Sequence, residues 1–454
     1  MNGEFDLVRY LTVERSKGVI IWLCNIGAEK YWSQLSMGVV DRYEDIVVNR
    51  IEEMNLLVSR KQDIVILRRK PDEEYLDSLG KLGFSIPTIL LPQKVDLLTP
   101  ISELVLKDDG LLQKLKEIAA GREDVFFVPY AVTYLEEEIA RKAGLNLIGA
   151  PSSINARVND KIFNREISEE LGFPVCKGKV CNTVDEIRQE YVALTEGAPF
   201  FEKVIIKEPN GASGKGLYVI DSKDKLESSL RMIVRFSKSK PGSKWLVEGW
   251  YKKKADINYQ IYISPKGSVE VFSIKQQLLR DTVYIGSKIP SDLEDCTLDS
   301  FKKYGERIGK FLYSIGFTGV AGIDSIITEQ DTIIPIIEIN GRFTLSTYLS
   351  FLNKIFGNGK LMSRYFKLVP DCPIGYADLS RELDKKGILI DPNRQEGVFI
   401  YTSGTLPSEL NDGADYYTGR AFALIVSDTW AKIEEYNSEL DSVMETVSGW
   451  ERCS

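Results

Sequence analysis

Short apolar runs that alternate with helix-like segments constrain the fold of the first third of the chain. Residues 18–24 form a continuous apolar run, which is typical of a strand buried on both faces of a parallel sheet. Further strand-like runs cover 63–67, 86–91 and 124–128, and helix-like segments such as 73–82 and 111–120 lie between them. This alternation predicts an open α/β domain over residues 1–150.

The first domain has no Gly-x-Gly-x-x-Gly fingerprint, so nothing in it supports a dinucleotide site. Ligands of open α/β sheets bind at the carboxyl ends of the strands. Residues 25–29, which follow the first apolar run, are therefore a candidate ligand loop. An ordinary strand–helix turn is the alternative.

The pattern changes after residue 150 and predicts an α+β domain over 151–345, followed by an α+β extension over 346–454. In the middle part we predict helices at 160–171 and 300–315, and strands at 204–207, 216–220, 244–248, 257–263, 269–274, 319–327 and 332–339. In the last part we predict helices at 350–368 and 427–447, and strands at 397–401 and 421–426.

Composition excludes several classes of chemistry. The 454 residues include no histidine, which removes Ser-His-Asp and Cys-His nucleophiles and histidine-ligated zinc. A net charge of −8 argues against a general nucleic-acid or anionic-membrane binder. The six scattered cysteines favour free thiols in a reducing compartment, and no apolar run approaches the roughly 20 residues of a membrane span. We therefore expect a soluble cytoplasmic protein that binds neither nucleic acid nor membranes.

A glycine-rich loop at 208–216 is the first candidate site. It joins two apolar strands, follows Lys207, and its glycines allow backbone N–H groups to approach an anion closely. The spacing does not match a Walker A loop, and a flexible hairpin turn explains the loop equally well.

Two acidic residues inside apolar strands form a stronger candidate. Asp324 and Glu338 flank a predicted turn at 328–331, which would bring them close on neighbouring strands. With the amide oxygen of Asn340 they form a hard oxygen site that suits Mg²⁺ bound together with phosphates. Arg342 follows two residues later and could stabilise an oxyanion. Solvent-facing strand charges are the alternative.

A third segment, 245–251, runs off a strand towards Asp256. A backbone hinge of this kind can hydrogen-bond an adenine edge, while an acid accepts from ribose hydroxyls. Taken alone, this indication is weak.

In this order, the motifs resemble those of the ATP-grasp superfamily of carboxylate ligases, over roughly residues 125–347. The resemblance implies nucleotide contacts from Lys161, Lys207, Gly211, Gly214, Gly216, Glu248, Trp250, Tyr251 and Asp256. It implies metal ligation by Asp324, Glu338 and Asn340, and catalytic roles for Arg342, Lys215 and Ser213. Some relatives carry an arginine two residues before the first metal acid. This chain has Gly322 there, so Arg342 would have to serve as the oxyanion partner.

The resemblance also implies a reaction. ATP would phosphorylate a carboxylate, with two Mg²⁺ ions expected and Mn²⁺ as a substitute, and an amine would attack the acyl phosphate. The domain layout resembles stand-alone amino-acid and peptide ligases, so an amino acid is the expected carboxylate donor. The alternatives are transfer to the thiol of an acyl-carrier protein and a non-catalytic nucleotide-binding protein.

Partners and substrate contacts are less constrained by the sequence. Candidate substrate contacts are Tyr130, Lys275, Gln276, Thr344 and Ser346, although a structural role is at least as good an explanation for each. The basic clusters 252–254 and 235–244 could dock an acidic carrier protein or could be solvated loops. A homodimer is left open.

Overall fold

The computed structural model describes residue 11 and residues 18–32, 42–211, 216–237, 244–280, 283–357, 359–410 and 415–448. The strands are β1 Val19–Leu23, β2 Ile64–Ile66, β3 Thr88–Leu90, β4 Val125–Pro129, β5 Asn146–Leu147, β6 Gly178–Cys181, β7 Val204–Lys207, β8 Leu217–Ile220, β9 Trp245–Gly249, β10 Lys253–Ile263, β11 Val269–Arg280, β12 Val283–Ile289, β13 Gly319–Thr328, β14 Ile333–Asn340, β15 Lys360–Leu368, β16 Gly397–Ile400 and β17 Gly419–Ser427. The helices are α1 Arg42–Asn49, α2 Glu73–Lys81, α3 Ile101–Leu106, α4 Asp109–Ala119, α5 Tyr134–Ala143, α6 Ser152–Val158, α7 Lys161–Glu170, α8 Val184–Glu196, α9 Lys223–Ser237, α10 Asp295–Ser314, α11 Leu345–Leu349, α12 Asn353–Phe356, α13 Tyr376–Lys385 and α14 Trp430–Ser448. Two 3₁₀ segments cover Ala28–Tyr31 and Arg50–Leu57.

The first sheet confirms the predicted α/β fold. Its strand order is β3-β2-β1-β4-β5, and all the pairs are parallel. Every residue of β1 is buried, as its continuous apolar run predicts. Because the strands are parallel, their carboxyl ends meet at one edge, and the order reverses beside β1 and β4. That edge presents Asn25, Arg68 and Tyr130 to the rest of the molecule.

A small four-stranded antiparallel sheet, β6-β9-β7-β8, carries the strands on both sides of the glycine-rich loop. Its apolar residues pack with those of α8 and α9 in a core of their own, which includes Ile187, Val204, Ile206, Leu230 and Val247. This separate core positions β7 and β9, and therefore Lys207 and Glu248, independently of the larger sheets.

The largest sheet has eight strands in the order β14-β13-β10-β11-β12-β15-β17-β16, and every pair in it is antiparallel. Its last three strands come from the C-terminal part of the chain. One apolar core contains Trp22 and Tyr75 of the N-terminal part together with Phe399 and Phe422 of the C-terminal part. The predicted boundary at 345/346 stays a prediction, and this sheet continues across it.

The prediction of one helix over 350–368 is wrong. The structure has the short helices α11 and α12, and then β15, which pairs with β17 over nine residue pairs from Lys360 to Leu368. Gly357 adopts a positive φ of 58° after α12, a backbone conformation that L side chains rarely adopt. The apolar residues that follow fit either a helix or a buried strand, and long-range pairing with β17 decides for the strand.

Candidate active site

A row of four polar side chains crosses the eight-stranded sheet and forms the base of the site. Glu338 on β14 lies directly opposite Asp324 on β13, and Asp324 lies opposite Asn258 on β10. Asn258 in turn pairs with Lys275 on β11. The hairpin therefore brings the two carboxylates together, as the spacing around 328–331 predicts.

Asp324 is a half-buried carboxylate held by amide groups. Its Oδ1 accepts hydrogen bonds from Asn258 Nδ2 at 2.8 Å and Gln277 Nε2 at 2.9 Å, and its Oδ2 accepts from Asn340 Nδ2 at 3.2 Å. Burial, followed by repulsion from Glu338, raises the pKa of Asp324 to about 6, against the opposing effect of these hydrogen bonds and of Arg342. A cation at this point would restore the charge balance.

The donor atoms fit a hard divalent cation. Two carboxylates and the Oδ1 of Asn340, whose Nδ2 is engaged with Asp324, present oxygen ligands on adjacent strands. The described part of the chain holds no cluster of three or more histidine, cysteine or acidic side chains with metal-binding geometry. A set of two acids and an amide, completed by phosphate oxygens, is typical of Mg²⁺ rather than of zinc.

Lys161 reaches this acid pair from the first turn of α7. Asp160 caps the helix by accepting from the N–H groups of Ile162 and Phe163, which fixes where the helix begins. Lys161 Nζ donates to Glu338 Oε1 at 2.8 Å and to the carbonyl oxygen of Gly211 at 2.7 Å. One buried lysine therefore joins the carboxylates to the glycine-rich loop.

Lys207 belongs to a buried ion-pair triad. Its Nζ lies 2.6 Å from Glu248 Oε2, and Glu248 Oε1 accepts from Arg165 Nη1 at 3.0 Å. Burial by itself lowers the pKa of Lys207, but Glu248 and weaker neighbours outweigh it and raise the pKa, so the amine stays charged. The Glu248 carboxylate therefore points inward and positions Lys207. Arg165, which the sequence analysis missed, completes the triad.

The segment predicted to bind adenine and ribose leaves β9 beside this triad. The N–H of Trp250 donates to the carbonyl oxygen of Lys203 at 2.9 Å, and the hydroxyl of Tyr251 accepts from the N–H of Lys177 at 3.2 Å. Asp256 is half-buried and pairs with Lys253 at 2.6 Å. The nucleotide contacts of these residues stay predictions.

The glycine-rich loop is described only at its ends. Gly211 contacts Lys161 through its carbonyl oxygen. Gly216 has a positive φ of 75°, and a Cβ at this position would lie 3.1 Å from the side chain of Glu208, so a larger residue would be strained there. Ser213, Gly214 and Lys215 lie outside the described residues, and their roles stay predictions from the sequence.

Arg342 connects the large sheet to the N-terminal sheet. Its Nη1 donates to the hydroxyl of Tyr130 at 2.9 Å and to the carbonyl oxygen of Phe343 at 3.0 Å, and its guanidinium lies 5.2 Å from the centre of the Tyr130 ring. A side chain at Gly322 would clash, since a Cβ there would lie 2.9 Å from Gln260 and Thr344 atoms. A larger residue at this position would therefore displace Gln260 or Thr344.

The candidate loop 25–29 is tied to the segment after β4. Asn25 Nδ2 donates to the carbonyl oxygen of Ala131 at 2.9 Å, and its Oδ1 accepts from the N–H of Ala131 at 3.0 Å. The Asn25 side chain therefore holds the loop that carries Tyr130.

The other candidate substrate contacts form the support of the site rather than its surface. Lys275 is fully buried and donates to the carbonyl oxygen of Ser346 at 2.6 Å and to Ser350 Oγ at 2.5 Å, and this burial lowers its pKa to about 7. Ser346 Oγ donates to Asn258 Oδ1 at 2.9 Å. Thr344 Oγ1 accepts from Gln260 Nε2 at 3.2 Å, whereas Gln276 is half-buried opposite Lys288.

Three residues of this support, Asn258, Gln260 and Gln277, were missed from the sequence. The signal was present for two of them, because polar residues alternate with apolar ones along 257–263. Period-two alternation normally indicates a solvated face, and here the polar face is covered by α11.

Two lysines of the basic cluster 252–254 already form ion pairs with acidic residues of this chain. Lys254 Nζ lies 2.6 Å from Asp331 Oδ1 at an exposed position, and Lys252 Nζ lies 3.5 Å from Glu202. Most of the second cluster, 238–243, lies outside the described residues.

Comparisons with known proteins agree with this geometry. A family model described as the pre-ATP-grasp domain matches residues 51–145, and one described as the ATP-grasp domain matches residues 158–346. The fold and the two matched domains define an ATP-grasp ligase. The chain belongs to the ATP-grasp superfamily.

Two curated relatives are ligases. The "[Butirosin acyl-carrier protein]--L-glutamate ligase" of Niallia circulans is 26% identical over 73% of this chain and 73% of its own length. The "L-propargylglycine--L-glutamate ligase" of Streptantibioticus cattleyicolor is 22% identical over 54% of this chain and 53% of its own length. The chain therefore spans about half the length of the second relative.

A solved structure shows the same fold at low identity. The biotin carboxylase domain of 2-oxoglutarate carboxylase from Hydrogenobacter thermophilus, in complex with MgADP, ADP and bicarbonate, matches with a TM-score of 0.54. It is 14% identical, and the match covers 94% of this chain and 90% of that one.

Within the described residues, every helix is too short or too polar to cross a bilayer.

Proposed function

We propose that the protein activates the carboxylate of an amino acid with ATP, as an acyl phosphate, and transfers the acyl group to an amine. The observation that carries this proposal is the contact of Lys161 with the Asp324–Glu338 pair, next to the end of the glycine-rich loop. This contact supports the proposal, because a cation and two candidate metal ligands lie together beside the loop that we propose to cover the phosphates.

Each residue has one task in this proposal. Lys161 and Lys207 bind phosphate oxygens, with Glu248 orienting Lys207, and Gly211, Gly214 and Gly216 let the loop amides approach the phosphates. Trp250 and Tyr251 contact adenine, and Asp256 contacts ribose. Asp324, Glu338 and Asn340 hold two Mg²⁺ ions, which would neutralise the charge of the β- and γ-phosphates.

The proposed reaction has two chemical steps. A carboxylate oxygen of the donor attacks the γ-phosphorus, the bond to the β–γ bridging oxygen breaks, and ADP leaves. The acceptor amine then attacks the acyl carbon, phosphate leaves with the bonding electrons of the C–O bond, and the amine proton passes to phosphate or water. Arg342 stabilises the oxyanion on the acyl carbon, while Lys215 and Ser213 contact the transferred phosphoryl group.

A carrier-protein thiol is the second candidate acceptor. It is favoured by the name of the Niallia circulans relative, which identifies an acyl-carrier protein as a substrate of that ligase. The attacking atom would be sulfur and the product a thioester, and the first step would be unchanged.

Buried free cysteines and the use of ATP support a cytoplasmic location.

Hydroxylamine trapping tests the first step without knowledge of the acceptor. The protein is incubated with Mg-ATP, hydroxylamine and each of the twenty amino acids in turn, and ADP and hydroxamate are measured. We expect both products with one donor or a few chemically similar donors. AMP and pyrophosphate would refute the acyl phosphate, and wild-type turnover by Glu338→Gln would refute the metal assignment.

The acceptor is tested by mass spectrometry once the donor is known. Incubation with a pool of amino acids should give a dipeptide with a mass that identifies the amine. A thioester on an added phosphopantetheinylated carrier protein, without any dipeptide, would replace the amine by a thiol.

A further inference from the structure

A polar pocket of about 220 Å³ lies between the carboxyl edge of the N-terminal sheet and loops of the C-terminal part. Its N-terminal wall includes residues just after β2, and its C-terminal wall includes residues 375–376 and 403–409. Glu53 fixes the two walls together, since it accepts hydrogen bonds from the N–H groups of Ser403 and Gly404 at 2.5 and 3.0 Å.

The pocket is separate from the phosphate and metal site. β2 and β4 are two strands apart, which places the end of β2 roughly 10 Å from the end of β4, where Tyr130 holds Arg342. At the end of the intervening strand, Cys24 and Tyr348 are buried in contact with each other, and neither of them lines the pocket. A ligand in the pocket therefore has contacts of its own.

The floor of the pocket holds buried charged atoms that are not fully hydrogen-bonded. Arg68 is 2% exposed and Glu52 is 4% exposed. Glu52 Oε1 accepts from the N–H of Arg68, while Glu52 Oε2 lies 3.5 Å from Arg68 Nη1. Among the described residues, Nε and Nη1 of Arg68 and Oε2 of Glu52 have no hydrogen-bond partner. Buried polar atoms are normally hydrogen-bonded, so the floor offers both donors and an acceptor to a ligand.

The mouth of the pocket already binds a carboxylate. Glu409 Oε1 lies 3.5 Å from Arg50 Nη1 and also contacts Arg69 Nη1. Glu409 and Arg69 are both about half exposed, so this pair is readily exchanged for a ligand carboxylate. Burial also raises the pKa of Glu52 to about 7 against the opposing effect of Arg68, so a cationic group of a ligand beside Glu52 would favour its charged form.

We propose that this pocket binds an α-amino acid with an acidic side chain. Its α-carboxylate takes the place of Glu409 between Arg50 and Arg69, its side-chain carboxylate contacts Arg68, and its ammonium group faces Glu52. The volume of about 220 Å³ is sufficient for a ligand of amino-acid size. The inference extends the proposed function without resting on it, because binding here requires neither ATP nor turnover.

Calorimetric titration of the full-length protein, without nucleotide, tests the pocket. The probes are L-glutamate, L-aspartate, L-alanine and L-lysine. We expect saturable binding of L-glutamate or L-aspartate, at least tenfold tighter than binding of the other two. Arg69→Gln, at an exposed position, should weaken this binding at least tenfold, and Glu52→Gln should weaken it while keeping the shape of the side chain.

Arg122→Gln is the matched control. Arg122 is exposed like Arg69 and pairs with Asp124, but it lies at the opposite edge of the same sheet. The Arg122→Gln variant should bind the acidic amino acid as the wild type does. All three variants, Arg69→Gln, Glu52→Gln and Arg122→Gln, should bind Mg-ATP with the affinity of the wild type. The pocket assignment is wrong if neither acidic amino acid binds the wild type, or if Arg69→Gln and Arg122→Gln bind equally well.

Kinetics then distinguish a substrate from an effector, and either result supports the pocket. A rise in KM for the acidic amino acid in Arg69→Gln, at unchanged kcat, would identify a substrate. Loss of activation or inhibition by that amino acid, at unchanged KM for the donor, would identify an effector. If the wild type binds the amino acid but not Mg-ATP, the pocket stands and the proposed function fails.

Discussion

Replacing Glu248 by glutamine tests whether the buried triad positions Lys207. Glu248 is 4% exposed and pairs with Lys207 at 2.6 Å and Arg165 at 3.0 Å, so Glu248→Gln leaves Lys207 buried without its carboxylate. Removing one partner of a buried ion pair typically costs about 3–5 kcal/mol. We expect a loss of this order in the free energy of unfolding of the small four-stranded unit.

The pH dependence of this loss has a defined sign. Glu248 is the main group that raises the pKa of Lys207 against burial, so the substitution lets burial lower that pKa. In the wild type, stability from Lys207 is present at neutral pH and is lost as pH rises through its raised folded pKa. The gap between wild type and variant should therefore be largest near pH 7. It should shrink as pH rises towards about 10.4, the usual lysine pKa, because the folded variant releases the Lys207 proton before its unfolded chain does, and it should shrink further above that pH as the wild type loses its own contribution.

The assay is urea unfolding followed by tryptophan fluorescence at pH 7 and pH 10, with Mg-ATP binding measured at pH 7. Trp245 lies on the same strand as Glu248 and reports on this unit. Glu227→Gln is the control, since Glu227 pairs with Arg188 on the exposed face of α9 in the same unit. A midpoint for Glu248→Gln that coincides with that of Glu227→Gln would refute the reasoning.

Three further substitutions test the rest of the site. Glu338→Gln should lower ATP turnover about a hundredfold or more, because it removes a carboxylate that faces Asp324 and contacts Lys161; unchanged ADP release in a coupled assay would contradict this. Arg342→Lys should lower kcat by a factor of roughly 10²–10³ with little change in Mg-ATP affinity, because a lysine lacks the planar guanidinium that reaches Tyr130. A change in Mg-ATP affinity alone would instead indicate that Arg342 contacts the nucleotide. Lys275→Met should alter the pH dependence of stability. Burial lowers the pKa of Lys275 to about 7, so the folded wild type releases this proton before the unfolded chain does. The free energy of unfolding of the wild type should therefore rise between pH 7 and about 10. The methionine variant should lack that rise. If denaturant titrations give the wild type and the variant the same change in the free energy of unfolding between the two pH values, the Lys275 pKa is not lowered.

Elements with partners close in sequence were predicted better than elements with distant partners. β13 and β14 were placed within a residue or two, because a turn at 328–331 joins them and a hairpin fixes its own register. β15 was mistaken for a helix, because its neighbours β12 and β17 both lie far from it along the chain. Its apolar pattern is compatible with both structures until those partners are known.

The candidate site shows the same division. Asp324 and Glu338 were singled out because acids inside apolar strands are unusual in any sequence, and Asn340 because it lies two residues after Glu338. Arg165, Asn258, Gln260 and Gln277 were missed, although all four hold the polar groups in place. A polar residue with a structural partner far along the chain has no distinctive local pattern.

The sequence by itself determined the alternation of β1 to β4, the hairpin with its facing carboxylates, and the absence of histidine chemistry. These properties depend on side-chain period, turn residues and composition, which are local. Only the tertiary structure decided that Lys161 meets Glu338 across 177 positions and that Arg342 meets Tyr130 across 212. Such contacts depend on strand order and on how the sheets pack together. They also decide the pKa of buried lysines, because burial lowers the pKa of Lys275 whereas Glu248 outweighs burial at Lys207.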